Sequence, residues 1–372
     1  MFLTAILFVL LIPMSAYASG QDALKAVAKK VGCKYEKILE SNQFIPGESV
    51  SDWIAIAAGC ADTPVNADTY LEGLEKYVSD TYAKEGGLHN VKATEWHRIS
   101  LAVLALGGDP TNFGVNSFGE PINLIADGTY NWYMSESLGV QGLNGWIFAL
   151  ITLDAKYYEV PQDALYTRED IISEIIKAQT DEGGFGLAGG SPDVDITAMA
   201  IQALAPYYDK DINVQGSVDR AVWWLSAQQS VNGDFASFGS GNSEATAQTI
   251  IALCSLGINP RTDERFIKNN NSALDGLLRY QCENGMFKHE MEGMEDVMAT
   301  EQAALALIAL DRFDQNAERL YDMTYIAIRE EAESNDSEIG IGVVVGIIAV
   351  VAAAGAAVIV ITKRGKKKSC MK

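Results

Sequence analysis

The 372-residue chain is poor in the residue types that most often announce chemistry. It has three histidines, His89, His97 and His289, and none stands with an acid and a thiol at metal-ligand spacing. Cys282, Glu283 and His289 are near one another in sequence but do not make such a set. The five cysteines include no CxxC pair, which excludes a zinc knuckle and a dithiol redox motif. Basic residues are scarce, with 28 Lys and Arg against 49 Asp and Glu, for a net charge of −21. Six of the basic residues crowd the last ten positions, so removing their +6 leaves −27 for everything before them. A surface that acidic repels phosphate backbones, and no nucleic-acid partner is expected. Long apolar runs are confined to the two ends.

At the N-terminus, residues 1–18 form an apolar stretch ending in Ala16-Tyr17-Ala18, the pattern of a secretory signal peptide. At the other end, residues 339–361 are 23 apolar residues followed by a basic tail, 362–372. A run of that length is expected to cross a bilayer once, with the basic tail cytoplasmic and the rest of the chain outside the cell. The expected localisation is therefore the cell membrane, single-pass, with the membrane as partner of one C-terminal helix. Residues 330–338 read as an acidic linker. In an exported domain, Cys33 with Cys60 and Cys254 with Cys282 would bridge neighbouring helices, isolated buried thiols being the alternative.

Between the ends, one unit recurs. Gln179-x-x-x-Gly183-x-Phe185 returns as Gln229-x-x-x-Gly233-x-Phe235 and as Gln281-x-x-x-Gly285-x-Phe287, at steps of 50 and 52 residues. A fixed period of this size marks a repeat architecture. Each unit follows an amphipathic helix and precedes one rich in Ala and nearly free of charge. In Arg168–Gln179, for instance, Ile171, Ile172, Ile175 and Ile176 form one stripe. Similar outer helices are expected at Tyr70–Tyr82, Val218–Gln229 and Leu274–Gln281. The inner helices are expected to begin near Asp52, Glu95, Asn144, Asp195, Glu244 and Ala299. Helices without a polar face must be buried on most sides, and Ala lets their backbones approach closely. The predicted fold is all-α, a closed double ring of about six helical hairpins over residues 19–329. Within each unit the Gln is expected to satisfy backbone groups of the turn, Gly to supply positive φ, Phe to pack between hairpins, and Thr197 and Ser243 or Thr246 to cap the next helix.

These Gln-x-x-x-Gly-x-Phe units resemble the QW motifs of the squalene–hopene cyclase and prenyltransferase superfamily, with Phe in place of the usual Trp. The resemblance covers roughly residues 20–330 and implies an (α/α)6 toroid. The segment Asp193-Val-Asp195-Ile-Thr-Ala is similar to the Asp-x-Asp-Asp-Thr-Ala motif of class II terpene cyclases. That likeness implies Asp195 as a general acid for an alkene or epoxide, helped by Asp193, although Ile196 stands where the family has a further carboxylate. The zinc set of the protein prenyltransferases is not matched, and the chain has length for one toroid where the cyclases use two. Asp195-Ile-Thr-Ala-Met-Ala is also similar to a run in the cobalamin-carrying α-domain of transcobalamin and intrinsic factor. Gly107–Phe113 and Gly142–Ile151 resemble bacterial cell-surface proteins with prenyltransferase repeats. The complement-type thioester motif is absent.

The leading expectation is a membrane-anchored, cell-surface toroid that binds a small molecule or surface partner at the mouth formed by the inner-helix N-termini. Trp96, His97, Trp146, Asp195, Glu244, Gln248, Glu301 and Gln302 would line that mouth, because they open successive inner helices at one end. No cofactor is evident, and a corrinoid is one ligand that the resemblance admits. The alternative is a cyclase- or prenyltransferase-like enzyme with Asp195 and Asp193 as catalytic carboxyls, and a third reading is a structural or adhesive module. Binding requires a deep pocket of mixed polar and aromatic lining. The enzyme requires an enclosed apolar cavity over Asp195, and a purely structural ring would be plugged.

Overall fold

The computed structural model describes residues 45–61, 67–237 and 239–329. Among them, helices alternate between two layers along the chain. The inner set is α1 (Ser49–Cys60), α3 (Thr94–Ala105), α5 (Asn144–Asp154), α7 (Val194–Leu204), α9 (Ser243–Ser255) and α11 (Val297–Asp314). The outer set is α2 (Asp68–Glu85), α4 (Leu124–Gly128), α6 (Arg168–Lys177), α8 (Ile212–Gln228) and α10 (Ala273–Leu278). Each inner helix packs on the next, and α11 packs back on α1, so the inner set closes on itself. The α/α toroid expected from the repeats is formed.

Composition explains the two layers. From Gly145 to Asp154 every residue of α5 is buried, and α9 is buried from Ser243 to Leu253. Such helices have no face to give to water. In α6 only Ile171 and Ile175 are fully buried, while Glu169, Asp170 and Lys177 remain exposed or partly exposed. The stretch 106–143 yields only α4 and one 3-10 turn, Leu138–Gln141. Gly107, Gly108, Pro110, Gly114, Gly119 and Pro121 make a longer helix there too costly.

The repeat turns show how the hairpins are tied. Phe185, Phe235 and Phe287 are fully buried. The N–H of each donates to a threonine on the following inner helix: Thr197 at 2.8 Å, Thr246 at 3.0 Å and Thr300 at 2.9 Å. The capping expected of Thr197 and of Ser243 or Thr246 is therefore corrected. The caps are Asp193, Asn242 and Asp296, which accept from Asp195 N at 3.0 Å, Ala245 N at 2.8 Å and Ala299 N at 2.8 Å. The threonines sit four residues on, where a hydroxyl can reach the turn instead. Two of these turns widen into short antiparallel ribbons, β1 (Phe235–Ser237) with β2 (Ser240–Asn242), and β5 (Phe287–Lys288) with β6 (Glu295–Asp296); β3 (Ile267–Lys268) and β4 (Asn271–Ser272) make a third ahead of α10.

One end of the ring is closed by the segment that follows α11. Leu320, Tyr321 and Met323 are buried, Met323 N donates to Ala155 O at 2.8 Å, and Lys156 Nζ donates to Ile326 O at 2.6 Å. The Cys60 thiol lies 3.8 Å from Leu320 O. Against Ile151, Gln202 and Tyr321 lies a small cavity of about 20 Å³, room for about one water. Cys60, Cys254 and Cys282 are free thiols, so the Cys254–Cys282 bridge is not made, and Cys33 and Cys370 lie outside the described residues. The signal stretch 1–18, the linker 330–338, the apolar run 339–361 and the tail 362–372 lie outside them as well.

Candidate functional site

The open end of the ring lies at the N-termini of the inner helices, and it has two halves of different chemistry. The acidic half is built on α7 and α9. Asp193, as cap of α7, spends Oδ1 on Asp195 N, and its Oδ2 accepts from Ser237 Oγ of β1 at 2.7 Å. Asp195 follows in the first turn, with Oδ1 shielded from water and without a hydrogen-bond partner. Burial, with the charges of Asp193 and Glu244 adding to it, pushes its carboxyl up to about 6, against the pull of Ser237 and His289. Glu244 Oε1 on α9 is 2.9 Å from His289 Nδ1, which comes from the β5–β6 connection, and this bond holds the imidazole above its ordinary value. Deeper in the ring, Gln202 Nε2 donates to Gln248 Oε1 at 2.8 Å, and Gln248 Nε2 donates to Gln302 Oε1 at 3.2 Å. A polar ladder thus crosses α7, α9 and α11.

The other half belongs to α1, α3 and α5. A depression of about 340 Å³ is lined by Trp53, Phe148, Glu95, Arg98, Gln141 and Asn144, among others. Trp53 and Phe148 meet edge to face at 5.9 Å. Arg98 is nearly buried and anchored: its Nε donates to Asp52 Oδ2 at 2.9 Å, and its Nη2 donates to Gly47 O at 2.8 Å and reaches Glu95 Oε2 at 2.7 Å. Asp52 is fully buried and accepts in addition from the Tyr70 hydroxyl at 2.6 Å and from Gly47 N at 3.1 Å. A buried pair with both carboxylate oxygens engaged fixes the α1–α3 corner. Asn144 Oδ1 is buried without a partner.

Among the residues expected at the mouth, the structure brings together Asp193, Asp195 and Glu244 on the acidic half, with Gln248 and Gln302 below them. Glu301 is buried within α11. Trp96, His97 and Trp146 face away, towards the outer layer. Trp96 Nε1 donates to the Tyr82 hydroxyl at 2.6 Å, and its ring meets Trp132 at 5.2 Å. His97 is fully buried with Nε2 2.6 Å from Gly128 O, and burial holds its imidazole down to about 4, so it is neutral. The ring of Trp146 lies 5.0 Å from that of Tyr166. Glu95, Arg98 and Asn144 occupy the ring-facing positions instead. Stepping back along the repeat from Asp195 by 51 and by 100 residues lands on Asn144 and Glu95, a signal that Trp96 and Trp146 obscured. Gln141 and Arg98 carried no motif of their own. Among the described residues no group of three or more His, Cys, Asp or Glu side chains could hold a metal ion.

The prenyltransferase alpha-alpha toroid domain matches residues 143–216 and 213–343. No curated protein sequence matches the chain. Among solved structures, protein geranylgeranyltransferase-I from Candida albicans, complexed with GGPP, is similar at 12% identity and TM-score 0.53, over 82% of this chain and 99% of that one. A single-residue variant of the type II terpene cyclase MstE from Scytonema, without ligand, is similar at 13% identity and TM-score 0.54, over 81% of this chain and 99% of that one. A second single-residue variant of that cyclase, in complex with geranylgeranyl dihydroxybenzoate, gives 12% identity and TM-score 0.51, over 81% and 99%. The expected single-pass placement at the cell membrane is corrected by these findings. The toroid is shared with a prenyltransferase and a terpene cyclase over nearly their whole lengths, and no helix among the described residues is long and apolar enough to cross a membrane.

Proposed function

The chain belongs to the prenyltransferase alpha-alpha toroid domain family, and from that premise we propose that it is an enzyme acting on an isoprenoid-type substrate, with Asp195 as proton donor. The observation that carries this reading is the Asp195 carboxyl itself. It stands at the ring mouth between Asp193 and Glu244, with one oxygen unpartnered, and burial keeps it up to about 6. An acid with that proton affinity remains partly protonated near neutral pH and can hand its proton to an oxygen. An acid at about 6 is weak for protonating a bare alkene and better matched to the oxygen of an epoxide. Asp193 has both oxygens engaged and holds the first turn of α7 in place, so its part is positioning. Ile196, where related motifs carry a carboxylate, is buried in the core and gives Asp195 no further hydrogen bond.

The test is conversion of terminal epoxides of farnesol and geranylgeraniol, followed by mass spectrometry of the products. Turnover should rise as pH falls through about 6, and Asp195→Asn should lower it by about a hundredfold or more, the usual contribution of a placed acid. Equal turnover by the Asn variant would end the proposal. A second reading, ligand binding without chemistry, is favoured by the 340 Å³ depression with its mixed lining of Trp53, Phe148 and polar groups, a volume within the range of small-molecule sites. A corrinoid would have to lie across this mouth rather than inside it.

A further inference from the structure

The depression of about 340 Å³ in the aromatic half of the mouth has a small apolar part and a large polar one. Apart from Trp53, Phe148 and Leu187, every residue of its lining is polar or charged. We propose that it is a saccharide site, which takes an uncharged pyranose ring with its C–H face on the aromatic side chains and its hydroxyls on the polar groups around them. The inference rests on the ligand-binding reading of this depression given above, supplies the class of ligand, and stands apart from the chemistry of Asp195.

Three features of the lining select that class. The first is charge. Lys92 and Arg98 are balanced by Glu95 and by the buried Asp52, to which Arg98 Nε donates at 2.9 Å, so the wall favours no ionic ligand. Across the mouth, Asp193, Asp195 and Glu244 repel an acid in particular. The second feature is unused hydrogen-bonding capacity of both kinds. Among the described residues, Asn144 Oδ1 is buried and accepts from nothing. Glu95 spends Oε2 on Arg98 Nη2 at 2.7 Å and keeps Oε1. Gln141, whose Oε1 accepts from Thr94 Oγ1 at 3.1 Å, keeps the hydrogens of its Nε2. An apolar ligand would seal these groups from water unpaired, which is unfavourable for each of them. A hydroxyl both donates and accepts, so neighbouring hydroxyls of one ring can donate to Asn144 Oδ1 and Glu95 and accept from Gln141. The third feature is the shape of the apolar part. The Trp53 and Phe148 rings meet at 65°, edge to face, and so form a corner and not a parallel-walled slot for a flat heteroaromatic base. A puckered ring with C–H groups on one face and oxygens around its rim suits such a corner. Arg98, 6% exposed and tied to Asp52, Gly47 and Glu95, holds the polar edge in place before any ligand arrives.

Saturation-transfer NMR on the full chain tests the site without calling on turnover, with methyl β-glucoside, methyl α-mannoside and methyl β-galactoside as probes. At least one glycoside should receive saturation, strongest at the C–H hydrogens of one ring face. Methyl β-glucuronide, which adds a carboxylate, and cyclohexanol, which lacks the ring of hydroxyls, should receive none. For the glycoside that binds, Gln141→Leu and Asn144→Leu should each weaken calorimetric affinity by about tenfold, the effect of leaving one hydroxyl of the ligand unpaired. Trp53→Leu should remove the saturation of the C–H face. Since Trp53 also packs against the core, the two polar variants decide the matter if that one does not fold. Gln228→Leu, at an exposed glutamine of α8 outside the depression, should bind as the parent does. Binding of the glucuronide or of cyclohexanol in place of the glycosides would overturn the saccharide class and leave a ligand site standing. No binding by any probe would overturn the proposal, and with it the reading of this depression as a small-molecule site. Glycoside affinity unchanged in both polar variants would put the sugar elsewhere on the chain and overturn the assignment.

Discussion

A carboxyl in the first turn of a helix is pulled towards ionisation by the free N–H groups, and Asp193 already occupies those of α7. Asp195 is left with burial and two neighbouring carboxylates, and the balance raises it from 3.8 to about 6. The sign of the stability effect follows. Between pH 4 and 6 the folded chain holds a proton that the unfolded chain has released, so folding is favoured at low pH and the contribution is lost as pH rises through about 6. Asp195→Asn should therefore stabilise the fold at pH 8 by about 1 to 3 kcal/mol and scarcely change it at pH 4. Urea titrations of both forms at the two pH values read this directly, and an Asn variant less stable at pH 8 would contradict the environment described. A site that costs stability is a common companion of function. The sequence pointed to Asp195, Glu244 and Gln248 because they recur at a fixed phase of the repeat. It misplaced Trp96, His97 and Trp146, since neighbouring positions on a helix differ by about 100° and the tryptophans of the early repeats drew the phase off by one or two residues. Arg98 and Asp52 were not legible, because their pairing joins residues 46 apart that share no motif.

At the scale of the element, the recurring phase of the turns is written in hydrogen bonds from glutamine side chains to backbone carbonyls. Gln229 is buried, and its Nε2 donates to Gly233 O within its own turn and to Phe266 O of the next hairpin, both at 3.0 Å. Gln179 makes the same pair, to Gly183 O at 2.7 Å and Ser217 O at 2.8 Å. One amide thus closes a turn and joins it to its neighbour. Replacing Gln229 by Ala strands two buried carbonyls and should cost about 2 to 4 kcal/mol, against the lesser loss expected where a side chain has no such second partner. Gly233→Ala should be worse still. Its φ is +89°, and a Cβ there would stand 2.2 Å from Ser272 O, an approach to backbone that cannot be relieved by turning a side chain. Chemical denaturation ranks the two, and a Gly233 variant as stable as the parent would refute the turn geometry. The period of these turns, and hence the order of inner and outer helices, was readable because Gln, Gly and Phe each serve one fixed backbone need. The threonine contacts were not, since a hydroxyl at that place in sequence serves equally well as a cap.

At the scale of the whole molecule, a ring of hairpins has a seam, and its ends must be held. Here α11 packs directly on α1, and the segment after α11 crosses the closed end to reach α1 and α5. Nothing in the sequence announced this floor. Residues 317–328 have neither helical nor strand periodicity, and their burial depends on partners at Cys60, Ala155 and Lys156 more than 150 residues away. The floor makes the array cooperative in a way that an open solenoid is not, since three inner helices share one buried plug. Met323 is fully buried, and Met323→Ala should cost about 2 to 5 kcal/mol, the range for emptying a core site of that size. The more telling measurement is amide exchange. If the floor is part of the ring, the amide of Met323, bonded to Ala155 O, should exchange only by the opening that also releases the buried amides of α5 and α9, and all three should accelerate together in the variant. Fast exchange at Met323 alone, with α5 and α9 still protected, would mean that the plug frays on its own. The ring would then open at its far end while its inner helices stayed closed.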